Sequence, residues 1–206
     1  LVVEAQPFPA RLRHWAITRP DYPALICAEI SRSWAELHER TNRIARGLTA
    51  HGVQEADLVT IALADPIAVL EVAWGCWKVG ATPQVVSWRL TPPELQALLD
   101  VGQPRLVVAS RDERIAGELD FHELISSGGH GGELTDKVSP VWKAPTSGGS
   151  TGRPKIIMST EAAITNDQRA AFYRLGPEDT ALMPAALYHN GPFSNSTLAT
   201  TAGSTL

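Results

Sequence analysis

The chain has 206 residues, with 18 Lys or Arg against 22 Asp or Glu and a formal net charge of −4. At 44% hydrophobic and 19% charged residues the composition is that of a folded protein rather than a disordered one, and at this length roughly 70% of the unfolded surface can be buried. An acidic balance without a basic cluster excludes non-specific nucleic-acid binding, two cysteines (Cys27 and Cys76) exclude a disulfide framework, and no apolar run reaches the ~18 residues of a membrane span.

Leu1-Val2-Val3-Glu4 has neither the charged nor the apolar region of a signal peptide, so a cytoplasmic location is expected. The chain opens without Met and closes on Gly203-Ser204-Thr205-Leu206, and a longer parent is expected.

In chain order, Ser33-Trp34-Ala35-Glu36 reads as a capping box, with the Ser33 hydroxyl and the Glu36 carboxylate satisfying orphan amides. Leu37, Thr41, Ile44 and Leu48 then mark one helix face, and Gly52 sits where a left-handed cap belongs. Leu58-Val59-Thr60-Ile61-Ala62-Leu63 is a short apolar run, the pattern of a strand buried on both faces. Asp65-Pro66 opens a second helix through Val69, Val72, Ala73, Cys76 and Trp77 to Gly80. Gln84-Val85-Val86 is the next strand candidate. Thr91-Pro92-Pro93-Glu94 is another capping box, followed by Leu95, Leu98 and Leu99, a stop at Gly102 and a strand over Arg105–Ala109.

Strands separated by helices of this length predict an α/β chain with a parallel sheet flanked by helices. Trp34, Trp74, Trp77 and Trp88 fall on the apolar faces and are expected to pack in the core. Residues 126–132, Ser-Ser-Gly-Gly-His-Gly-Gly, carry no periodicity and are expected to form a flexible loop with His130 exposed.

The stretch that carries chemistry is Thr146-Ser147-Gly148-Gly149-Ser150-Thr151-Gly152-Arg153-Pro154-Lys155-Ile156-Ile157-Met158. Its glycines let successive amides turn inward as an anion-binding nest. Thr146, Ser147, Ser150 and Thr151 add hydroxyls at the rim, and Lys155 adds one positive charge. That donor set suits a polyphosphate, because charge-assisted hydrogen bonds are the stronger kind. It is not a Walker A loop, since Arg153-Pro154 separates Gly152 from Lys155, and it is not a dinucleotide fingerprint, since no G-x-G-x-x-G occurs and Ile-Ile-Met reads as strand.

Ser147-Gly148-Gly149-Ser150-Thr151-Gly152-Arg153-Pro154-Lys155 resembles the phosphate-binding signature of the adenylate-forming superfamily, which includes acyl-CoA synthetases and the adenylation domains of peptide synthetases. Trp77-Lys78-Val79-Gly80-Ala81 and Leu90-Thr91-Pro92-Pro93-Glu94-Leu95 resemble further landmarks of that family. Met183-Pro184-Ala185-Ala186-Leu187-Tyr188-His189-Asn190-Gly191-Pro192-Phe193 resembles its next motif, an aromatic-and-histidine turn after a strand, in a form similar to fatty-acid and bile-acid CoA ligases. Two residues depart from the pattern: Gly148 stands where a hydroxyl residue is usual, and Ile156 where a glycine is usual.

The resemblance implies that residues 1–206 are the N-terminal portion of the large AMP-binding domain, with the C-terminal lid domain outside it. It implies a ligase that activates a carboxylic acid with ATP and Mg²⁺ and passes it to coenzyme A. Ser147, Gly148, Gly149, Ser150, Thr151, Gly152 and Lys155 would hold the nucleotide phosphates. Thr151, Lys155 and His189 would serve the reaction, and His189, Asn190 and Gly191 would meet the acid. No metal ligand is expected among these residues. The glutamate that helps hold Mg²⁺, the ribose-binding aspartate and the mobile lysine of the family have no counterpart here, so this stretch alone is expected to be inactive. The alternatives are a non-catalytic phosphate- or nucleotide-binding module and an amino-acid-activating domain, although His189-Asn190-Gly191-Pro192 offers no carboxylate for a substrate ammonium.

Overall fold

The structure, a computed structural model, describes residues 5–110, 117–130, 132–147 and 154–206. Helix α1 (Phe8–Thr18) precedes an antiparallel pair, β1 (Pro23–Cys27) and β2 (Ile30–Ser33). Ser33 ends that pair and caps α2 (Trp34–Ala50): its Oγ accepts from the Glu36 amide at 3.2 Å, while its own amide donates to Glu36 Oε2 at 2.8 Å. The expected capping box is present, and Gly52 beyond the helix has φ +79°.

Strand β3 (Leu58–Ala62) leads to Asp65, whose carboxylate accepts from the Ile67 amide at 2.9 Å and opens α3 (Pro66–Val79); Gly80 closes that helix in the left-handed region. Every residue of α3 from Ile67 to Val79 is buried, as befits a helix that is apolar on most sides. Strand β4 (Thr82–Val85), α4 (Pro92–Gly102), β5 (Leu106–Ala109), β6 (Glu118–Leu119) and α5 (Phe121–Ser127) follow.

The four strands form a parallel sheet in the order β4-β3-β5-β6, with Leu58 opposite Thr82 and Val59 opposite Leu106. Successive residues of a strand face opposite ways. Val59 and Ile61 accordingly join the large core that includes Leu37, Ile44, Trp74 and Trp77, while Ala62 and Ala109 join a second cluster with Leu95 and Leu98 of α4. Helices therefore cover both faces, as the alternation of elements predicts.

Three local expectations need correction. The strand after Gly80 spans Thr82–Val85 rather than Gln84–Val86, because Thr82 and Pro83 pair with β3. Helix α4 ends at Gly102, the expected stop, and Gln103 after it takes the left-handed conformation at φ 45°. A Cβ at Gly102 would lie 2.7 Å from Ile156 Cδ1 and 3.2 Å from Leu58 Cδ2, so those side-chain tips would have to move to admit one. Trp34, Trp74 and Trp77 are buried, but Trp88 is 37% exposed with the Arg89 guanidinium over its ring. The Ser/Gly stretch begins inside α5, which holds Ser126 and Ser127; Arg46 of α2 donates to the carbonyls of Gly128 and Gly132. His130 is exposed, as expected, and Gly131 lies outside the described residues.

Beyond α5 the chain forms a short hairpin, β7 (Thr146–Ser147) and β8 (Lys155–Ile156), then α6 (Asp167–Phe172) and α7 (Asn190–Ala202).

Candidate functional site

The base of the hairpin is fixed before its tip. Trp142 is buried, its carbonyl accepts from the Trp77 indole at 2.7 Å, and its ring stacks on Phe193 at an interplanar angle of 10°. The Ala144 amide donates to the Pro83 carbonyl at 3.1 Å, which continues the edge of the parallel sheet into the hairpin. Ile157 and Ser159 donate back to the carbonyls of Pro145 and Lys143. Thr146 is thereby set opposite Ile156, and Ser147 opposite Lys155. The two ends of the glycine-rich segment are held as neighbours, with Lys155 exposed to solvent. Gly148, Gly149, Ser150, Thr151 and Gly152 lie outside the described residues.

The second half of the site comes from the chain before α7. No strand immediately precedes Met183; the segment makes a single parallel bridge, Thr180 to Thr205, in place of the strand expected there. It then turns, with the His189 amide donating to the Ala186 carbonyl at 3.1 Å, and His189 becomes the residue preceding α7. The His189 side chain does not cap the helix. Gly191 sits in the first turn with open space where a Cβ would stand.

A cleft of about 410 Å³ joins these parts. Thr146, Ser147 and Pro154 line it from the hairpin, Tyr188 and His189 from the turn, and Glu94 from α4. The Thr91 amide and hydroxyl, each 2.8 Å from Glu94 Oε2, hold that carboxyl below the usual range, so the rim of the cleft keeps an anion. Tyr188 also walls a separate apolar cleft of about 320 Å³, lined by residues such as Leu25, Leu63, Trp88 and Met183. That cleft has no charged side chain in its wall, so the chemistry of a charged ligand belongs to the first.

Of the residues singled out from sequence, Ser147 and His189 share the cleft and Lys155 pairs with Ser147 across the hairpin. Asn190 is engaged elsewhere: its Oδ1 accepts from Lys143 Nζ at 2.6 Å. Lys143, with no role assigned from sequence, ties hairpin to helix beside the stack of Trp142 on Phe193. Its Nζ also donates to Ser194 Oγ and lies 4.3 Å from the Trp142 ring centroid. Burial pulls its ammonium below the ordinary lysine range, the Arg169 charge adds to that shift, and Glu161 opposes it. The signal in sequence was a lone Lys between Trp142 and Ala144 in an apolar approach to the loop.

The Thr146 and Ser147 hydroxyls face the cleft, the Lys155 ammonium lies on the strand paired with Ser147, and the Glu94 carboxylate is the one acidic group among the described residues of the rim. Among the described residues no group of three or more His, Cys, Asp or Glu converges to hold a metal ion.

The sequence model of the family described as "AMP-binding enzyme" matches residues 12–206. Feruloyl-CoA synthase of Amycolatopsis sp is 30% identical over 198 residues, which are 86% of this chain and 39% of that protein. Tyrocidine synthase 3 of Brevibacillus parabrevis is 30% identical over 186 residues, 84% of this chain and 3% of that protein. The fold resembles O-succinylbenzoate coenzyme A synthetase from Bacillus subtilis, solved in complex with AMP, with a TM-score of 0.82 at 21% identity, covering 98% of this chain and 55% of that one. The chain thus spans 39% or less of the length of these two curated relatives.

Proposed function

The chain belongs to the family of AMP-binding enzymes, and from that premise we propose that it is the phosphate-loop portion of an ATP-dependent acid–thiol ligase. In the reaction a carboxylate oxygen attacks the α-phosphorus of ATP, and the new P–O bond forms as the bond to pyrophosphate breaks. The thiol of coenzyme A then attacks the acyl carbon and gives up its proton, and AMP leaves as the thioester forms. The phosphoryl step needs positioning and charge neutralisation more than covalent help.

The observation that supports this reading best is the pairing of Ser147 with Lys155 on a hairpin whose cleft also takes in His189. Loop amides with the Ser147, Ser150 and Thr151 hydroxyls would hold the β- and γ-phosphates, and Lys155 would act as an electrostatic clamp. His189, with Asn190 and Gly191, would orient the acid; no general base is required, because a carboxylate is already ionised at pH 7. Mg²⁺, when bound, supplies further neutralisation on phosphate oxygens.

The absence of a carboxylate at 189–192 favours an acid other than an amino acid. A cytoplasmic location belongs to the same reading. No helix among the described residues is long and apolar enough to cross a membrane.

The test is carboxylate-dependent ATP–pyrophosphate exchange by the whole protein, with a panel of fatty, aromatic, steroid and amino acids and a Lys155→Ala control. Exchange with a non-amino acid that collapses in the control is expected. Exchange with amino acids alone would replace the substrate class. A folded protein that binds nucleotide but exchanges with no acid would make it a non-catalytic binding module.

A further inference from the structure

We infer that Lys143 is a positioning residue for the acid half of the site, holding the start of α7, and with it His189, in register with the phosphate-loop hairpin. The inference rests on the ligase reading above and concerns how its two halves are joined.

Lys143 stands three residues before Thr146 on the hairpin, and its ammonium crosses to two consecutive turns of α7. It donates to Asn190 Oδ1 at 2.6 Å and to Ser194 Oγ, while the Ser194 hydroxyl in turn donates to the Asn190 carbonyl at 2.6 Å. The third face of the ammonium meets the Trp142 ring. The head group thus has two acceptors on α7 and one aromatic face, and Asn190, next to His189, is one of its two polar partners on the helix.

The placement runs against helix electrostatics. A cation beside a helix N-terminus is disfavoured by the macrodipole, and Arg169 of α6 adds a second like charge. Such a group weakens α7 unless its hydrogen bonds and a nearby anion offset the repulsion. Glu161 is the one carboxylate among the groups that shift Lys143. His189, in the small space beside Lys143, is the remaining titratable neighbour with Tyr188. An acid substrate brought to His189 supplies the missing negative charge.

The hairpin itself does not depend on the ammonium. Trp142 is anchored by Trp77 and Phe193, and the backbone of Lys143 and Ala144 is bonded to Ser159 and Pro83. Replacing Lys143 by Met keeps the aliphatic stem and removes the bridge alone.

The experiment uses the whole protein in ATP–pyrophosphate exchange. For Lys143→Met the KM for the acid is expected to rise about tenfold or more, the loss of a charge-assisted contact, with the KM for ATP changed less than about twofold. Lys143→Arg, which keeps charge and donors, is expected to recover most of that loss. Ser194→Ala added to Lys143→Met is expected to add little, since both act through one contact. The acid KM of the unaltered protein is expected to rise at alkaline pH, as the ammonium loses its proton below the ordinary lysine range, and to be flat in Lys143→Met. An unchanged acid KM in Lys143→Met overturns the inference. So does an equal loss in both KM values with a lowered melting temperature, which marks a general structural role. Absence of exchange in the unaltered protein overturns the ligase reading itself, and the inference falls with it.

Discussion

Lys78 of α3 donates twice to His38 of α2, to Nδ1 and to the carbonyl oxygen, each at 3.1 Å, with Asn42 Oδ1 at 2.5 Å as a third acceptor. His38 Nε2 then meets Glu133 at 2.8 Å, and Arg13 of α1 holds Asp136 through two bonds. This cluster fastens the segment after α5 to three helices. Lys78 is 4% exposed, and burial lowers its pKa to about 7, against the pull of Glu133 and Asp136.

The consequence is a stability that increases with pH. Between about 7 and the ordinary lysine value of 10.5 the unfolded chain holds a proton at this site that the folded chain has released. Stability therefore rises through that window. Burial and the Lys78 charge lower the pKa of His38 as well, so the ring resists protonation in the folded state and stability falls as the solution is acidified through 6.5. Compared with Lys78→Met, the unaltered protein is expected to gain at most roughly 1.4 kcal/mol per pH unit between pH 7 and 9.5. Urea midpoints of both proteins across that range check it, and a constant difference would contradict it.

Glu71 offers a second test. Its carboxylate is buried at the α2–α3 contact, where Arg40 binds both oxygens at 2.5 and 2.7 Å and Arg32 approaches at 3.2 Å. Glu71→Ala leaves two guanidinium groups without their partner, and breaking a buried pair from one side costs about 3–5 kcal/mol. Replacement of Arg32, which makes a single and longer bond to the carboxylate, is expected to cost about 1 kcal/mol or less. Denaturant unfolding of the two variants should separate them in that order.

Gly128 tests the packing of α5. A Cβ at this position would lie 1.9 Å from the Arg43 carbonyl oxygen on α2, a contact with backbone that no rotamer relieves. Gly128→Ala is expected to destabilise by about 1–3 kcal/mol or more through forced separation of the two helices. Gly129→Ala next to it meets no atom within 4 Å, but its φ of +56° adds strain, and a smaller loss is expected. Equal effects of the two substitutions in thermal unfolding would contradict the packing account.

The parts of the fold legible in the sequence are those written in local chemistry. The Ser33 box, the Asp65-Pro66 start and Gly80 stop of α3, and the Leu58 strand all depend on neighbours within one turn, and all are present. What escaped depends on distant partners. Thr82 and Pro83 lie outside the apolar run that marks the strand, and only their pairing with β3 adds them to it. Gly128 reads as a loop residue because the α2 backbone that crowds it is far away in sequence. In the site, the residue types around Ser147 and Lys155 lead to the expectation of an anion cradle; the pairing of these two residues is what the structure adds, and the glycines between them lie outside the described residues. The bridge from Lys143 to Asn190 spans 47 positions, and no local pattern reports it.

The indole of Trp77 provides the last test, because it joins the core to the site. Its ring packs edge-on against Phe8 at 4.9 Å and Trp74 at 5.1 Å, and its Nε1 donates to the Trp142 carbonyl at 2.7 Å. Trp77→Phe keeps an aromatic ring but leaves that buried carbonyl without its donor, a loss of about 1–3 kcal/mol, with a cavity cost in addition. Trp142 stands four residues before Thr146, so loosening its anchor also loosens the base of the hairpin that sets Ser147 opposite Lys155. Nucleotide affinity in the whole protein is therefore expected to fall along with stability. Trp74→Phe is the comparison: its indole nitrogen is buried without a hydrogen-bond partner, so the substitution removes no bond and is expected to leave nucleotide affinity unchanged. Calorimetric binding of ATP beside urea unfolding distinguishes the two, and equal losses of affinity would show that the hairpin does not depend on the Trp77 bond.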